Sequence, residues 1–529
     1  MMGSSIYSEQ WSVFKARELP QNKILEADVV IIGSGAGGGI TAEVLANKGL
    51  KVIIIEEGPY RNKKQFNMLE KEAYPDLYQE SAARKTKDKA ISILQGKAVG
   101  GSTTVNWTTS FKTPDQTLEH WKNQFALEGL EPGAMLPWFN QIEEQLSISP
   151  WPVPANENNQ ILARGMGKLG LESNVIPRNV KGCANLGYCG MGCPLDAKQS
   201  MLVTTIPSAL SHGATLISRA RVDKFIFTNR KISSVDVQPL LSNGKTSNAK
   251  ESLDNLINIK AKHFVLSAGA IGSPAVLLRS KAPDPYSNVG KRTFLHPVTI
   301  SASIMSNKVN AFSGAPQSLY SDEFLWRDGT TGEMGYKLEV PPMHPLLSSL
   351  IMPGHGKSHS LLMEKLPYIH SMLALHRDGF NDQSIGGTVE LNEQGLPVLD
   401  YPLTDLFWRS AKESLLTMAE IQFAAGAKQV QPIHLDANLA NNWRSAKSMI
   451  ENLSMVALRL NVFSAHVMGG CSMGADEKGS VVNAYGQHHQ IANLSIIDGS
   501  VFPTSLGVNP QLSIYALAKR NAVYLSEHL

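Results

Sequence analysis

The apolar run Val29-Val30-Ile31-Ile32 leads directly into Gly33-Ser34-Gly35-Ala36-Gly37-Gly38-Gly39, and few folds accept what comes next. A helix-like stretch from Ile40 to Lys48 is followed by Gly49 and a second apolar run, Val52 to Ile55. Four consecutive β-branched residues read as a buried strand, and Gly49 suits the left-handed cap that closes a helix. Strand, glycine turn, helix, strand is the nucleotide-binding unit of a doubly wound sheet. Pyrophosphate must approach backbone N–H groups at a helix N-terminus, where any Cβ would hold it away, and Gly33, Gly35 and Gly38 meet that demand. Glu56 closes the second strand, where a carboxylate can accept from ribose hydroxyls. A glycine-rich turn with no ligand is the bland alternative, and the fingerprint alone does not separate FAD from NAD.

The chain has 529 residues, enough for roughly three domains at most. From about 305 to 455 the texture changes: Pro341-Pro342-Met343-His344-Pro345 is a Pro-rich apolar loop, and Gly387 to Tyr401 reads as a hairpin turning at Asn392 to Gly395. A helix is predicted from about Leu406 to Ala425, ending before Gly426. The segment from about 116 to 200 mixes helical patches with loops, and residues 1 to 26 read as a polar lead-in. The predicted class is therefore α/β, a Rossmann-like domain made of 24–115, 200–305 and 456–529. Into it is inserted an α+β substrate domain, 116–199 and 306–455, built on an antiparallel sheet.

The 49 Lys and Arg nearly balance the 46 Asp and Glu, with only Arg84 to Lys89 as a short basic stretch, so nucleic acid is not a predicted partner. The N-terminus lacks the basic, apolar, small-residue order of a secretion signal, and apolar runs such as Val29 to Ala42 fall short of a membrane span. A soluble, cytoplasmic chain is expected, with export alongside a partner subunit left open. Three of the four cysteines (Cys183, Cys189, Cys193) sit close together, which argues against a dispersed disulfide framework and fits a reducing compartment.

Further motifs carry a family resemblance. The run from Gln95 to Trp107, with Gly100-Gly101-Ser102 and Val105-Asn106-Trp107 inside it, resembles the first signature of the glucose-methanol-choline oxidoreductases, and Ser267 to Pro274 resembles the second. His466-Val467-Met468-Gly469-Gly470-Cys471, Ile497-Asp498-Gly499 and Val508-Asn509-Pro510 are similar to the family's closing block. Asn106-Trp107 with Lys112-Thr113-Pro114, Ala424 to Ala427 and Ser464-Ala465-His466 most resemble the long-chain alcohol oxidase and dehydrogenase branch. The resemblance implies FAD, with Gly33, Gly35, Gly38 and Glu56 on its ADP half and Val222 near the adenine. Gly100, Gly101, Ser102 and Asn106 would lie beside the flavin, Asp498 and Gly499 along the diphosphate and ribityl, and Pro510 would join the cofactor contacts. Some relatives attach the flavin through a His where this chain has Val105, which has no nucleophile, so non-covalent FAD is expected.

The implied activity is oxidation of a primary, apolar or aromatic alcohol to its aldehyde, with oxygen, a quinone or a cytochrome as acceptor. That reaction takes the hydroxyl proton and passes the α-hydrogen as hydride to flavin N5, so it needs a group titrating near neutrality. His466 is the candidate base, and Asn509 would hydrogen-bond the developing alkoxide. Many relatives carry a second His there; Asn cannot share proton transfer, which leaves His466 alone. Among the other histidines, His296 reads as a buried hydrogen-bonding residue and His488-His489 as a solvated loop. His344 and His355 flank a stretch, Pro345 to Pro353, that is either a lid over a greasy channel or a loop packed on the core.

The spacing Cys183-x5-Cys189-x3-Cys193-Pro194 resembles iron-sulfur ligation and the catalytic subunits of bacterial FAD glucose and fructose dehydrogenases, which carry a cluster and pass electrons to a cytochrome. Gly187 to Cys193 with Lys198-Gln199 equally resembles the long-chain alcohol oxidase branch, which implies no cluster. Reduced thiols or a local disulfide are the other readings; zinc would need a fourth ligand, and Cys471 reads as a small packing residue. Two alternatives to alcohol oxidation follow: a flavin-bearing subunit of an electron-transfer complex with an iron-sulfur cluster, and a hydroxynitrile lyase that keeps FAD without using its redox chemistry.

Overall fold

The strand Ile24–Ile32 runs parallel to Val52–Ile55 on one side, with Val29 opposite Val52 and Ile32 opposite Ile55, and parallel to Ile257–Leu266 on the other. The side chains of Val29 to Ile32 are all buried, so both faces of the strand are covered, which is why the run is apolar without alternation. The computed structural model describes residues 11–20, 24–241, 243–244 and 256–529. Across it the sheet reads, by strand, Ser12–Lys15, Thr215–Ser218, Val52–Ile55, Ile24–Ile32, Ile257–Leu266, Lys231–Pro239 and Ala220–Thr228. Leu494–Ile496 also pairs in parallel with Ile257–Leu266. The segment read as a polar lead-in contributes an edge strand at Ser12–Lys15; residues 1–10, where the secretion-signal reading mainly lay, are outside the described residues.

The helix Ala36–Asn47 leaves the first strand through the glycine turn and packs against the C-terminal helix Gln511–His528 and against Thr205–Ser211. Gly33 has φ +98°, and a Cβ there would stand 2.2 Å from the Ser267 carbonyl oxygen. A Cβ on Gly38 would stand 2.0 Å from the Gly33 carbonyl oxygen. These two glycines thus close the turn onto its neighbours. Gly35 differs: its Cβ would meet only Gly101 Cα, at 3.8 Å, and would otherwise point into open space.

The second sheet is antiparallel apart from the parallel pair Val462–Ser464 and Ile91–Ile93. Its order is Ile91–Ile93, Val462–Ser464, Val298–Ile304, Ile369–His376, Tyr336–Glu339, Leu319–Ser321 and Asn174–Val175, with Gln429–Pro432 beside Val298–Ile304. The helix Asp405–Ala424 covers one face, burying Leu406, Leu415, Met418 and Ile421. Gly426, at φ +97°, follows its end.

The structure distributes the segments differently from the division at 116, 199, 305 and 455. The helices Asp115–Phe125 and Pro132–Gln145 pack with the nucleotide sheet's core through Leu118, Trp121, Phe139 and Ile142, and Trp121 Nε1 donates to Thr504 Oγ1 at 2.7 Å. Conversely Ile91–Ile93, Val298–Ile304 and Val462–Ser464 belong to the second sheet. The hairpin Thr388–Leu391 with Pro397–Asp400 turns where expected but packs on the helix Gly269–Arg279, on the nucleotide side. Core burial, set by contacts far apart in sequence, overrides the order of textures along the chain.

Candidate active site

A single cavity of about 1170 Å³ joins the glycine turn to the second sheet. That exceeds the roughly 300–1,000 Å³ that houses a drug-sized ligand, so a dinucleotide and a second molecule can share it. At the nucleotide end lie Gly33, Gly35, Glu56, Val222 and Arg279; further on lie Gly101, Ser102, Val105 and Asn106, then Asp498, Gly499, His466, Asn509 and Pro510. Gly100 and Gly38 shape the walls from behind: the Gly100 N–H donates to Ser34 Oγ at 3.0 Å. Beyond His466 the walls are apolar, formed by Val298, Ile300, Leu373, Leu375, Leu347 and Ile351. The last two sit on the helix Pro345–Ile351, so the Pro345 to Pro353 stretch is a cavity wall, with Leu350 on its outer side 72% exposed.

The expected cofactor residues fit a dinucleotide. The N-terminus of the helix Ala36–Asn47 opens on the cavity at Gly35, where the space a side chain would take is free for a diphosphate. Glu56 Oε2 accepts from Ser34 N–H (3.1 Å) and Ser34 Oγ (2.6 Å), and Oε1 accepts from Gly58 N–H (2.7 Å). An ionised carboxylate takes about four bonds, so capacity remains for a ribose hydroxyl. Burial pushes its pKa up and those three donors oppose the rise. Asp498 is used differently: Oδ2 accepts from Gly269 N–H (2.8 Å) and Ser273 Oγ (2.6 Å), and Oδ1 from the N–H and hydroxyl of Ser500. Its carboxylate ties two cavity-lining loops together. Asn106 Nδ2 donates to Gln511 Oε1 at 2.6 Å, and Lys198 Nζ donates to the Thr104, Asn106 and Cys189 carbonyls, bracing the wall from outside. Replacing Glu56 with Ala is expected to weaken FAD by about 1.5–3 kcal/mol, about 10- to 150-fold in Kd, without changing alcohol preference. Flavin fluorescence titration of the apoprotein measures the first, and a substrate series the second.

At the other end His466 follows the strand Val462–Ser464, and its Nδ1 lies 3.0 Å from His296 Nδ1. The rings are nearly perpendicular, at 87°. His466 Nε2 lies 3.5 Å from Asn509 Nδ2, which donates to Glu339 Oε2 at 3.3 Å. Glu339 Oε2 also accepts from Gln317 Nε2 at 2.6 Å, while Glu339 Oε1 and Asn509 Oδ1 are buried with no protein partner. Lys337, on the same strand face as Glu339, holds Nζ 3.2 Å from the Phe111 ring centre and 4.0 Å from that of Tyr320. Burial pulls His466 down to about 4, with Lys337 adding, and pulls Lys337 to about 8. Burial pushes the Glu339 carboxyl up to about 7 against the pull of Lys337.

The structure thus brings His466 and Asn509 together. Glu339 and Lys337 were missed, although two charges two apart in the strand Tyr336–Glu339 must share a face. His296 is buried and hydrogen-bonded as expected. His488 is not solvated: it is buried, which pulls its pKa down to about 4, and its Nδ1 accepts from Gln490 N–H at 3.1 Å.

The iron-sulfur reading is not supported. Among the described residues no group of three or more His, Cys, Asp or Glu is arranged to hold a metal, and Cys183, Cys189 and Cys193 are free thiols. Cys183 Sγ accepts from Asn185 N–H at 3.4 Å and Cys189 Sγ from Arg178 Nη2 at 3.6 Å, so two of the three thiols contact their own loop's surroundings. Cys471 is fully buried, in keeping with packing.

Comparison with known proteins places the two GMC oxidoreductase family profiles on residues 74–298 and 383–518, and an FAD binding domain profile on 28–66. The chain belongs to the GMC oxidoreductase family. As such it is an FAD-dependent oxidoreductase acting on CH–OH groups. Among similar curated proteins, the long-chain-alcohol oxidase FAO4A of Arabidopsis thaliana is 28% identical over 511 residues, covering 93% of this chain and 68% of that protein. A 2-methyl-1,2-propanediol dehydrogenase of Mycolicibacterium austroafricanum is 24% identical over 568 residues, covering 95% of each. Pyridoxine 4-oxidase superposes with a TM-score of 0.69 at 16% identity, over 95% of this chain and 99% of that one, which shows a shared GMC fold. Among the described residues of this GMC oxidoreductase no helix is long and apolar enough to cross a membrane.

Proposed function

We propose that the protein oxidises a primary alcohol with an apolar chain to its aldehyde, using non-covalent FAD and oxygen as acceptor. The observation that carries this is the cavity's continuity: it runs from the glycine turn past His466 and Asn509 into a space walled by Val298, Ile300, Leu373, Leu375, Leu347 and Ile351. The similarity to long-chain-alcohol oxidases supports the same substrate class and acceptor. Val105 lines the cavity and has no nucleophile, which supports dissociable FAD.

FAD, when bound, supplies the hydride acceptor. His466 Nε2 and Asn509 Nδ2 converge on one point of the cavity wall, where they hold the substrate's hydroxyl oxygen and favour its negative charge. The hydroxyl proton needs an acceptor within hydrogen-bond reach. His466 lines the cavity beside Asn509, whereas Glu339 is buried behind Asn509 and is not among the lining residues. In this reading the O–H bond breaks toward His466 Nε2, the base expected from sequence, and Asn509, held by Glu339, steadies the oxygen.

Two measurements follow. Each added methylene of a linear alcohol buries about 0.8 kcal/mol of apolar surface, so kcat/KM should rise about fourfold per carbon until the channel is full. A flat series, or one that favours sugars, would reject the apolar substrate class. His466 must be neutral to take the proton and burial pulls its pKa down to about 4, so flavin reduction should be flat around neutrality and fall about tenfold per unit only below about pH 4. A profile that instead breaks near neutrality would remove His466 as the base.

A further inference from the structure

We infer that Ile300 and Leu373, the second pair of facing side chains along the antiparallel sheet's cavity face, form the end stop that sets how long an alcohol chain the site accepts, a specificity role that rests on the reading of the apolar space as the chain's channel. The strand Val298–Ile304 starts at the reacting end, because His296, just before it, holds Nδ1 3.0 Å from His466 Nδ1. Side chains along a strand alternate between its faces. Thr299 and Ser301 turn toward the helix Asp405–Ala424, where their hydroxyls bond Ser414 Oγ at 2.8 Å and Gln422 Oε1 at 2.7 Å. Val298, Ile300 and Ala302 therefore share the opposite face, whose first two members line the cavity. The strand Ile369–His376 runs beside it in matching register, with Leu375 opposite Val298, Leu373 opposite Ile300 and Ser371 opposite Ala302.

These pairs measure distance from His466. Successive pairs on one face lie two residues apart, about 6.8 Å, so Ile300 stands about 14 Å beyond His296 along the strand. The pairs Val298 with Leu375 and Ile300 with Leu373 line the cavity, whereas Ala302 and Ser371 do not, so on this face the cavity stops at the second pair. Behind it the side chains are small and already buried, Ala302 at 3% and Ser371 at 0% exposure, which leaves Ile300 and Leu373 to supply the bulk of the stop. The two pairs thus have separable effects. A chain of a few carbons already lies against the first pair, but only one that spans the channel touches the second. Each added carbon gains burial until the methyl end meets Ile300, and the next must bend the chain or displace packed side chains.

The test is a series of linear primary alcohols with the FAD-loaded protein, read as the carbon number at which the second-order rate of anaerobic flavin reduction stops rising. In Ile300→Ala the three carbons removed from the stop make room for about three at the end of the chain, so the break should move to longer alcohols by about that number, and the rate with an alcohol just past the original break should rise about 10- to 60-fold. Ile300→Phe should move the break to shorter alcohols. Val298→Ala, at the first pair, should lower the rate by a similar factor for all the longer alcohols and leave the break where it was. A break that stays in place in both Ile300 variants, or that moves as far in Val298→Ala, overturns the proposal, as does a series in the unsubstituted protein that rises without any break. Leu373→Ala carries the same expectation as Ile300→Ala and replaces it if that variant loses its fold or its flavin. Linear primary carboxamides, which have no hydroxyl to oxidise, should show the same breaks in dissociation constants measured by perturbation of the flavin spectrum. This arm separates two failures: flavin that no alcohol reduces rejects the alcohol reading, whereas a carboxamide series without a break, or one indifferent to Ile300→Phe, rejects the stop.

Discussion

His466→Ala is expected to slow anaerobic reduction of the bound flavin by about 10²- to 10⁴-fold, the usual effect of removing a positioned acid/base, while FAD stays bound. The substitution removes one of the two polar groups that meet at the cavity wall and leaves His296 Nδ1 without its partner. None of the bonds that organise Glu56, Asp498 or Asn106 involves His466, so cofactor content should match that of the unsubstituted protein. Stopped-flow spectroscopy with a saturating alcohol measures the rate. Reduction at the original rate would take His466 out of the chemistry, and loss of the flavin would make its role structural.

The second large effect is expected at the glycine turn. In Gly33→Ala a methyl group would stand 2.2 Å from the Ser267 carbonyl oxygen and 2.8 Å from its carbon, at φ +98°. Both obstacles are backbone, so relief requires separating the strands Ile24–Ile32 and Ile257–Leu266 that frame the site. Strain of that kind costs at least about 3 kcal/mol, and purified protein should contain little FAD and melt earlier. Gly35→Ala separates fold from ligand: its methyl meets only open cavity, so the melting temperature of the apoprotein should hold while FAD affinity falls. Equal FAD affinity in Gly35→Ala and the unsubstituted protein would mean that the diphosphate does not approach this turn.

The nucleotide half was legible because its signals are local. A β-branched run, three glycines at fixed spacing and an acidic residue closing the next strand lie within about thirty residues, the length of one such unit. His466 and Asn509 were found through a family resemblance, since a histidine in a glycine-rich turn has no local feature that marks it as reactive. The partners of those residues were not legible. His296 meets His466 across 170 positions, and Glu339 meets Asn509 across the same separation, so only the folded sheet brings them together. A local hint existed in Tyr336-Lys337-Leu338-Glu339, where strand alternation puts both charges on one face, but nothing in the sequence says that this face is buried. The cysteine spacing misled in the opposite sense: thiols close in sequence were not gathered around a shared metal position among the described residues.

The most direct test of the whole account is anaerobic addition of dodecanol to the FAD-loaded protein, followed by visible absorbance. The yellow colour should bleach with one equivalent of aldehyde formed per flavin, and admitting air should restore it with release of hydrogen peroxide. Flavin that stays oxidised with dodecanol, and with every shorter primary alcohol, would contradict the assignment of the apolar channel beyond His466 to an alcohol's chain.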